Sequence, residues 1–186
     1  MTIPSPSWDE RYRQQSAQKE PSGLLVEFAR LLPEKGLVLD LACGGGRNSV
    51  FLAERGLRVI GVDRAFPALE QGKALAARRG LNVAWLQADL TQLTFFAPAF
   101  DVCLVFYYRD PELYPRLRAW LRPGGLLLYE TSTREQLRFA SGPRNPAHLL
   151  EPGELLAAAH DWEILYSREA RHQRGIASLV ARKPTA

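Results

Sequence analysis

The amino-acid sequence predicts an α/β fold with a doubly wound, seven-stranded, mostly parallel sheet, an antiparallel last strand and helices on both faces. Apolar, β-rich runs alternate along the chain with segments of helical periodicity, which is typical of parallel sheets. The first run, at 37–41, is followed two residues later by three consecutive glycines at 44–46. The connection between the last two runs, at 169–175, is too short for a parallel crossover, so we expect these strands to be antiparallel neighbours.

The residues before this alternation are expected to form a helical arm. Ser7 and Glu10 have the spacing of a capping box, in which each side chain accepts a hydrogen bond from the other residue's amide. They predict a short helix that extends to about residue 18. Apolar residues three and four positions apart predict a second helix over 22–32. We interpret 1–186 as one domain, in which residues 1–20 are an arm or lid and residues 21–186 are the core.

The core is predicted to be β-α repeated five times and then β-turn-β. Pro67 favours the start of a helix and Gly80 its end. Pro115 would break a helix begun at Pro111, so the next main helix is expected at 115–121, followed by a turn at 122–125. Residues 132–150 are expected to be a long loop with some helix. The strands are predicted at 37–41, 58–62, 82–87, 101–106, 126–131, 162–168 and 176–181, and two further helices at 47–55 and 152–159.

The composition is that of one ordinary globular domain, with 46% hydrophobic and 24% charged residues among 186. No apolar run approaches the roughly 20 residues that span a bilayer, and no apolar leader is present, so we expect a cytoplasmic protein without a membrane partner. The two cysteines form no C-x-x-C pair and the three histidines are scattered, which disfavours a metal site. The net charge of +4 is small and dispersed, which favours a mixed-charge surface over a nucleic-acid interface.

Three acidic residues, Asp40, Asp63 and Asp89, stand at or just beyond the ends of predicted strands. In an open parallel sheet, ligands bind at the carboxyl ends of the strands, where the strand order reverses. The glycines at 44–46 let a ligand approach main-chain amides, and the next helix, with Asn48 in its first turn, points its own amides at the same place. An acid such as Asp63 can accept both hydroxyls of an adenosine ribose, so this edge is predicted to bind an adenosine-containing cofactor.

Four segments together resemble the class I S-adenosylmethionine-dependent methyltransferases: VLDLACGGGRN (38–48), VD (62–63), QADL (87–90) and LRPGG (121–125). The resemblance covers nearly the whole chain from Gly36 on and implies a Rossmann-like core that binds S-adenosylmethionine. The start WDERY (8–12) and the compact size are similar to the tellurite-resistance and thiopurine-type branch. The chain departs from the family at Ala42, where glycine is usual.

The glycine turn and Asp63 alone would also suit a nicotinamide or flavin cofactor. Dinucleotide enzymes do not require an acid at the position of Asp89, and they usually carry a third glycine where this chain has Ser49. The resemblance therefore favours S-adenosylmethionine, with Asp40 and the turn at 42–46 on its methionine part, Asp63 on the ribose, and Asp89 at the adenine. The implied cofactor residues are Trp8, Tyr12, Asp40, Ala42, Cys43, Gly44, Gly46, Asn48, Asp63, Arg64, Asp89, Leu90 and Phe106, with Trp8 and Tyr12 as a lid.

The methyl acceptor is expected to meet residues beyond the fourth strand and in the loop after the fifth. Tyr107 could orient the acceptor, Arg144 could hold an anionic group, and His148 could act as a base. The chain reads FYYR at 106–109 and lacks the Asn-Pro-Pro-Tyr signature of nucleic-acid amino methyltransferases. We therefore expect a small-molecule acceptor, such as a thiol, a metalloid oxyanion or an amine, and a monomer or homodimer. The alternatives are a cofactor-binding protein without turnover and a methyltransferase of RNA or protein.

Overall fold

A computed structural model describes residues 7–14, 20–170 and 174–185 and places one seven-stranded sheet at the centre of the fold. The strands are β1 (Leu37–Leu41), β2 (Arg58–Asp63), β3 (Ala84–Gln87), β4 (Phe100–Phe106), β5 (Leu121–Ser132), β6 (Glu163–Ala170) and β7 (Ile176–Arg182). Their order is β3-β2-β1-β4-β5-β7-β6. The first five strands are parallel, and β7 is antiparallel to both of its neighbours, β5 and β6. The predicted fold class and the antiparallel final pair are confirmed.

Helices cover both faces of this sheet. They are α1 (Trp8–Gln14), α2 (Gly23–Glu27), α3 (Arg47–Ala53), α4 (Phe66–Arg78), α5 (Leu113–Trp120) and α6 (Glu154–Ala158). Alternate residues of β1 point to opposite faces, so Leu39 joins a core cluster with α5 and α6, and Val38 joins a second cluster with α2, α3 and α4. Among the described residues, no helix is both long and apolar enough to cross a membrane.

The capping box at the start of α1 is confirmed. The Glu10 amide donates to Ser7 Oγ at 3.2 Å, and the Ser7 amide donates to Glu10 Oε2 at 2.6 Å. The helix is described as far as Gln14, and the remainder of the predicted arm helix, at 15–18, lies outside the described residues. Residues 171–173 of the connection between β6 and β7 also lie outside them.

The prediction of one continuous helix over 22–32 is wrong. After α2 the backbone changes direction at Phe28, and a single 3₁₀ turn follows at Ala29–Leu31. Phe28 is buried, and its ring centroid lies 4.8 Å from that of Tyr166 on β6. Leu32 is extended because it precedes Pro33, whose ring disfavours helix at the residue before it.

The prediction of five β-α repeats is also wrong, because no helix joins β3 to β4. This fully described segment contains a turn, closed by a hydrogen bond from the Gln92 amide to the Asp89 carbonyl. Phe95 then packs edge-on against Phe100 and Trp120, with centroid distances of 4.9 and 5.1 Å. The segment thus contributes to the core directly, without forming a helix.

Two boundaries around α5 differ from the prediction for local reasons. The helix begins at Leu113, so Pro115 falls in its first turn, where the missing N–H has no partner within the helix. The expected turn at 122–125 is a loop-out within β5. Phe100 pairs with Leu121, while Val102 pairs with Leu126, so the residues between them have no partners on β4.

Candidate cofactor site

The glycine turn lies directly beyond β1, at the carboxyl edge of the sheet. It is closed by hydrogen bonds from the Cys43 amide to the Val62 carbonyl and from the Gly46 amide to the Cys43 carbonyl, both of 3.0 Å. Gly44 and Gly46 have φ angles of 54° and 75°, in the left-handed region that glycine adopts without strain. Ala42 has the same left-handed conformation, with φ of 54°. The chain therefore adopts the same turn with alanine at position 42, at a cost of roughly 1–2 kcal/mol in backbone strain.

Asp63 ties the end of β2 to this turn. Its Oδ2 accepts from the Gly44 amide at 2.8 Å, and its Oδ1 accepts from the Ala65 amide at 2.9 Å. Burial raises the pKa of the Asp63 carboxyl, and the two amides partly oppose that shift. A carboxylate offers about four lone-pair positions, so each oxygen can still accept from one further donor.

Asp40 lies beneath the turn and is almost completely buried, with 1% of its surface exposed. Its Oδ2 accepts from the Ser49 hydroxyl at 2.6 Å. Burial raises the pKa of the Asp40 carboxyl to about 7, although the hydrogen bonds from Ser49 favour the ionised form. Ser49, noted in the sequence because it replaces a glycine, is thus the hydrogen-bond partner of this acid.

The ring of Trp85 on β3 supports the turn from below, and sequence reasoning did not identify it. A Cβ added at Gly46 would overlap with this ring. Cβ atoms added at Gly61 and Gly72 would lie 2.9 and 2.7 Å from ring atoms. Three glycines, on the turn, on β2 and on α4, therefore make the space that the ring fills. Three glycines brought together by the fold around one tryptophan leave no local pattern in the sequence.

Helix α1 covers the turn through Tyr12. A Cβ at Gly44 would overlap with the Tyr12 hydroxyl, and Gln71 on α4 donates to the Tyr12 carbonyl at 2.6 Å. Burial and the nearby Asp63 carboxylate raise the pKa of the Tyr12 phenol to about 12, so the phenol remains a neutral hydrogen-bond donor. Trp8, the other aromatic residue of the expected lid, is 49% exposed and stands 6.4 Å from the Tyr12 ring.

The third acid, Asp89, lies beyond β3 at the same edge and is exposed. Its Oδ1 accepts from both the amide and the hydroxyl of Thr91, at 3.0 and 2.9 Å, and these bonds lower the pKa of the carboxyl. Leu90 is buried behind it, and Arg64 is exposed beyond β2. Electrostatic interaction with Arg64 also favours the ionised form of Asp89, so these residues share one end of the edge.

The structure gives the following contacts for four more of the residues expected in the site. Asn48 does not bond the turn, because its Oδ1 accepts from the Ser22 amide at 2.8 Å and holds that segment against α3. Phe106 is 6% exposed and belongs to the core under the site. Arg144 donates to three carbonyls of its own loop. His148 is exposed on a 3₁₀ turn, and no described contact joins it to the turn at 42–46.

Tyr107 does lie beside the turn, immediately beyond β4. Its φ of 57° makes it the second non-glycine residue in the left-handed region among those described. Its amide donates to the Glu130 carbonyl at 2.8 Å, and its phenol lies 3.4 Å from Glu130 Oε1. The Arg47 guanidinium, at the start of α3, lies 6.0 Å from the ring centroid. Glu130 was not identified from the sequence, since a single acid near a strand end carries no distinguishing pattern.

These residues fit S-adenosylmethionine by the chemistry of their donors and acceptors. Asp63 can accept two hydroxyls, and Asp40 and Asp89 place further carboxylates at the two ends of the same edge. The glycine at position 44 is required by the Tyr12 hydroxyl that lies against it, so the turn brings bare backbone to the site. No group of side chains among the described residues is suited to a metal ion.

Comparison with known proteins supports the same cofactor. A family described as "Methyltransferase domain" matches residues 38–125. Trans-aconitate 2-methyltransferase of Azoarcus sp. (strain BH72) is 32% identical over 155 residues, which cover 74% of this chain and 58% of that protein. A ubiquinone biosynthesis O-methyltransferase of Cereibacter sphaeroides is 33% identical over 137 residues, covering 70% of this chain and 55% of that protein. The chain thus spans somewhat more than half the length of these curated relatives.

Solved structures share the fold at lower identity. TehB from Haemophilus influenzae superposes with a TM-score of 0.77 at 21% identity, covering 94% of this chain and 66% of that one. A methyltransferase of Methanosarcina mazei gives 0.68 at 21%, covering 90% and 100%. The [4+2]-cyclase SpnF gives 0.70 at 19%, covering 88% and 80%. With its methyltransferase-domain match over residues 38–125, its relatives and this fold, the chain is similar to the class I S-adenosylmethionine-dependent methyltransferases, whose cofactor is S-adenosylmethionine.

Proposed function

We propose that the protein transfers a methyl group from S-adenosylmethionine to a small molecule. The observation that carries the proposal is the position of Asp63, whose carboxylate is bonded to Gly44 in the glycine turn and keeps acceptor capacity on both oxygens. This arrangement lies where β1 is flanked by β2 and β4, the point at which the strand order reverses and open α/β sheets bind ligands.

In this proposal two of the acids bind the cofactor and the third supports the glycine turn. Asp63 accepts the ribose hydroxyls, Asp89 and the Leu90 amide bind the adenine, and Asp40 supports the turn that receives the methionine part. S-adenosylmethionine supplies a methyl group on a positively charged sulfur. The protein's part is then to hold the acceptor in line with that methyl group, because fixing two reactants in a productive geometry supplies much of the rate enhancement. Tyr12, which lies over Gly44, keeps water from this part of the site.

The names of the relatives favour a small-molecule acceptor. One relative is named for trans-aconitate and another for ubiquinone biosynthesis. Because the chain spans little more than half of these proteins, we propose the acceptor class and leave the compound to experiment. The expected branch, the tellurite-resistance and thiopurine type, belongs to the same proposal, and so does the choice among a thiol, a metalloid oxyanion and an amine.

A second candidate is a protein that binds the cofactor without transferring the methyl group. The structural similarity to a [4+2]-cyclase favours keeping it, since one fold hosts different chemistries and the reaction is decided by the site. His148 and Arg144, the base and anion-binding residue expected from the sequence, are not in contact with the glycine turn, which leaves fewer groups for acceptor chemistry.

Calorimetric titration with S-adenosylmethionine and S-adenosylhomocysteine tests the cofactor assignment. We expect Asp63→Asn to weaken both about ten- to a hundredfold, because charge-assisted hydrogen bonds contribute about 1.5–3 kcal/mol. Asparagine preserves the shape of the side chain, and circular dichroism reports whether the variant is folded. Asp161→Asn, at an exposed carboxylate paired with Arg118, is the control and should bind like the wild type. Equal binding by Asp63→Asn and wild type would contradict the assignment.

Turnover is tested by S-adenosylhomocysteine release with a panel of thiols, amines, carboxylic acids, phenols and tellurite. Product formation with any of them, dependent on Asp63, supports methyl transfer. Tight cofactor binding with no product across the panel would favour the second candidate. Salt-sensitive turnover on RNA would instead indicate a nucleic-acid acceptor.

A further inference from the structure

We propose that Glu130 and Tyr107 form the acceptor-binding side of the site and that they select an acceptor carrying a positively charged amine. The inference rests on the proposed function, because it assigns the acceptor class of the same site. The ammonium group is the group that is recognised, and the methylated atom can lie elsewhere in the acceptor.

The first observation is a half-buried carboxylate that is held by neutral groups. Glu130 Oε2 accepts from the Ser178 hydroxyl at 2.8 Å, and Ser178 is itself buried, with 8% of its surface exposed. Glu130 Oε1 has the Tyr107 phenol at 3.4 Å, which is a long and weak contact. Within the described chain Glu130 belongs to no ion pair, whereas ten other pairs join Arg or Lys to Asp or Glu. A partly desolvated carboxylate without a cation is suited to a ligand that supplies one.

The second observation is the strained backbone of Tyr107. A left-handed conformation is strained in an aromatic residue, and such strain concentrates at functional sites. The amide of Tyr107 is fixed to the Glu130 carbonyl, while the ring stays 48% exposed. The strain therefore holds an accessible aromatic face beside the carboxylate, and an aromatic face also attracts cations.

The third observation is the distance between this pair and the glycine turn. Leu41 of β1 pairs with Val105 of β4, and Phe106 of β4 pairs with Glu130 of β5. Neighbouring strands lie about 4.8 Å apart, so Glu130 is about 10 Å across the sheet from the start of the glycine turn. This places the pair next to the bound cofactor and clear of the residues that hold it.

Two arginines in this region could instead favour an anionic acceptor. Electrostatic interactions of Arg47 and Arg174 reach the Tyr107 phenol, and an anionic acceptor could bind between them. Arg47, however, donates to the Glu20 carbonyl at 3.3 Å and to Ser22 Oγ at 3.2 Å, which directs its guanidinium towards the segment before α2. Arg174 is exposed. The half-buried, anchored group of this cluster is the carboxylate, which is why we favour a cationic ligand.

The test uses three probes of one size, benzylamine, benzyl alcohol and benzoate, whose ring matches the exposed face of Tyr107. Binding is followed by ligand-observed NMR on the full protein, alone and saturated with S-adenosylhomocysteine. We expect benzylamine to bind at least about tenfold more tightly than benzoate, and Glu130→Gln to remove this preference while S-adenosylhomocysteine binding stays unchanged. The matched control is Glu27→Gln, an exposed glutamate on α2, which should keep the preference.

Because Glu130→Gln could fail to fold, wild-type protein supplies a second measurement. Benzylamine should shift the backbone amide resonances of Tyr107 and Ser178 and leave those of α6 in place. Tighter binding of benzoate than benzylamine, or a preference that survives Glu130→Gln, would overturn the proposal. So would the absence of any probe binding to protein that binds S-adenosylhomocysteine. Failure of S-adenosylhomocysteine itself to bind would count against the proposed function, and the probe preference of the unliganded protein would still decide the role of Glu130.

Discussion

Asp40 shows how a single buried residue can make stability depend on pH. Its carboxyl has a pKa of about 7 in the folded protein, against about 3.9 in an unfolded chain. Between these values the folded state keeps a proton that the unfolded state has lost, so stability falls as pH rises from 4 to 7 and is constant above that. The difference corresponds to about 4 kcal/mol. We therefore expect Asp40→Asn, which cannot ionise, to gain stability over wild type progressively from pH 4 to pH 7.

Urea unfolding at several pH values across this interval measures the effect. The control is Asp161→Asn. In the wild type, the hydrogen bond from Arg118 lowers the pKa of the Asp161 carboxyl, so the contribution of Asp161 to stability changes only below about pH 4. The stability difference between Asp161→Asn and wild type should be flat from pH 5 to pH 7. A difference that is equally flat for Asp40→Asn would show that Asp40 is ionised in the folded protein across this range.

Ala42 is strained in the folded protein, because its φ of 54° is one that glycine adopts freely and alanine does not. Replacing alanine by glycine removes strain of roughly 1–2 kcal/mol and adds about 0.4–1 kcal/mol of unfolded-chain entropy. We expect Ala42→Gly to be neutral or to stabilise by up to about 1.5 kcal/mol in thermal or urea unfolding. Ala74→Gly, at an exposed position inside α4, should instead destabilise by about 1 kcal/mol. The same loss at both positions would mean that Ala42 is unstrained.

At the scale of elements, the ring of Trp85 on β3 packs against both the glycine turn and Gly72 on α4. A Cβ at Gly72 would lie 2.7 Å from the ring, which cannot retreat because it also contacts Gly46 and Gly61. We expect Gly72→Ala to destabilise by about 1–3 kcal/mol through overpacking, despite the gain of about 1 kcal/mol in helix propensity. In a Trp85→Leu background the space opens, and the same change should stabilise. Urea unfolding of the two single variants, the double variant and wild type gives the coupling.

The control for this cycle is Gly23→Ala at the start of α2, where an added Cβ meets nothing within 4 Å. It should be tolerated in both backgrounds. If Gly72→Ala destabilises equally with and without Trp85, the tryptophan is not what requires the glycine. A parallel titration with S-adenosylhomocysteine would show whether the displaced ring also disturbs the turn.

The elements most readily predicted were those whose pattern is local. The buried stripe of α4, namely Ala68, Leu69, Gly72, Leu75 and Ala76, follows from such a pattern because a helical period places these residues on one face. The break at Phe28 could not be read this way, since the apolar spacing continues through it and the ring packs on Tyr166, far along the chain. The prediction for the segment between β3 and β4 was wrong for the same reason, because the position of Phe95 depends on its contact with Trp120, which is distant in the sequence.

For the whole molecule, the carboxyl edge was predictable, whereas the proposed acceptor side was predictable only at Tyr107. Asp40, Asp63 and Asp89 lie at or just beyond the ends of β1, β2 and β3, and a parallel sheet brings such ends to one edge. Glu130 joins the site through the antiparallel entry of β7, which pairs Ser178 with it across the sheet. That contact depends on strand order over 48 residues of sequence, and the loop residues Arg144 and His148 were more conspicuous in the sequence. Chemistry carried by long-range pairing therefore becomes visible only in the fold.

Hydrogen exchange with and without S-adenosylhomocysteine tests whether the ligand binds at the glycine turn and Asp63. A ligand at a hundred times its dissociation constant stabilises the native state by about 2.7 kcal/mol, so core amides that exchange by global unfolding should slow about a hundredfold. The contrast lies in amides that exchange by local opening. Those of the turn at 42–46 and of Ala65 should slow as well, because ligand binding blocks their opening. Those of the five-residue helix α6, which packs on the opposite face from Asp40, should not change. Equal slowing of α6 would mean that the cofactor orders the whole sheet, and unchanged exchange at Ala65 would place the ligand away from Asp63.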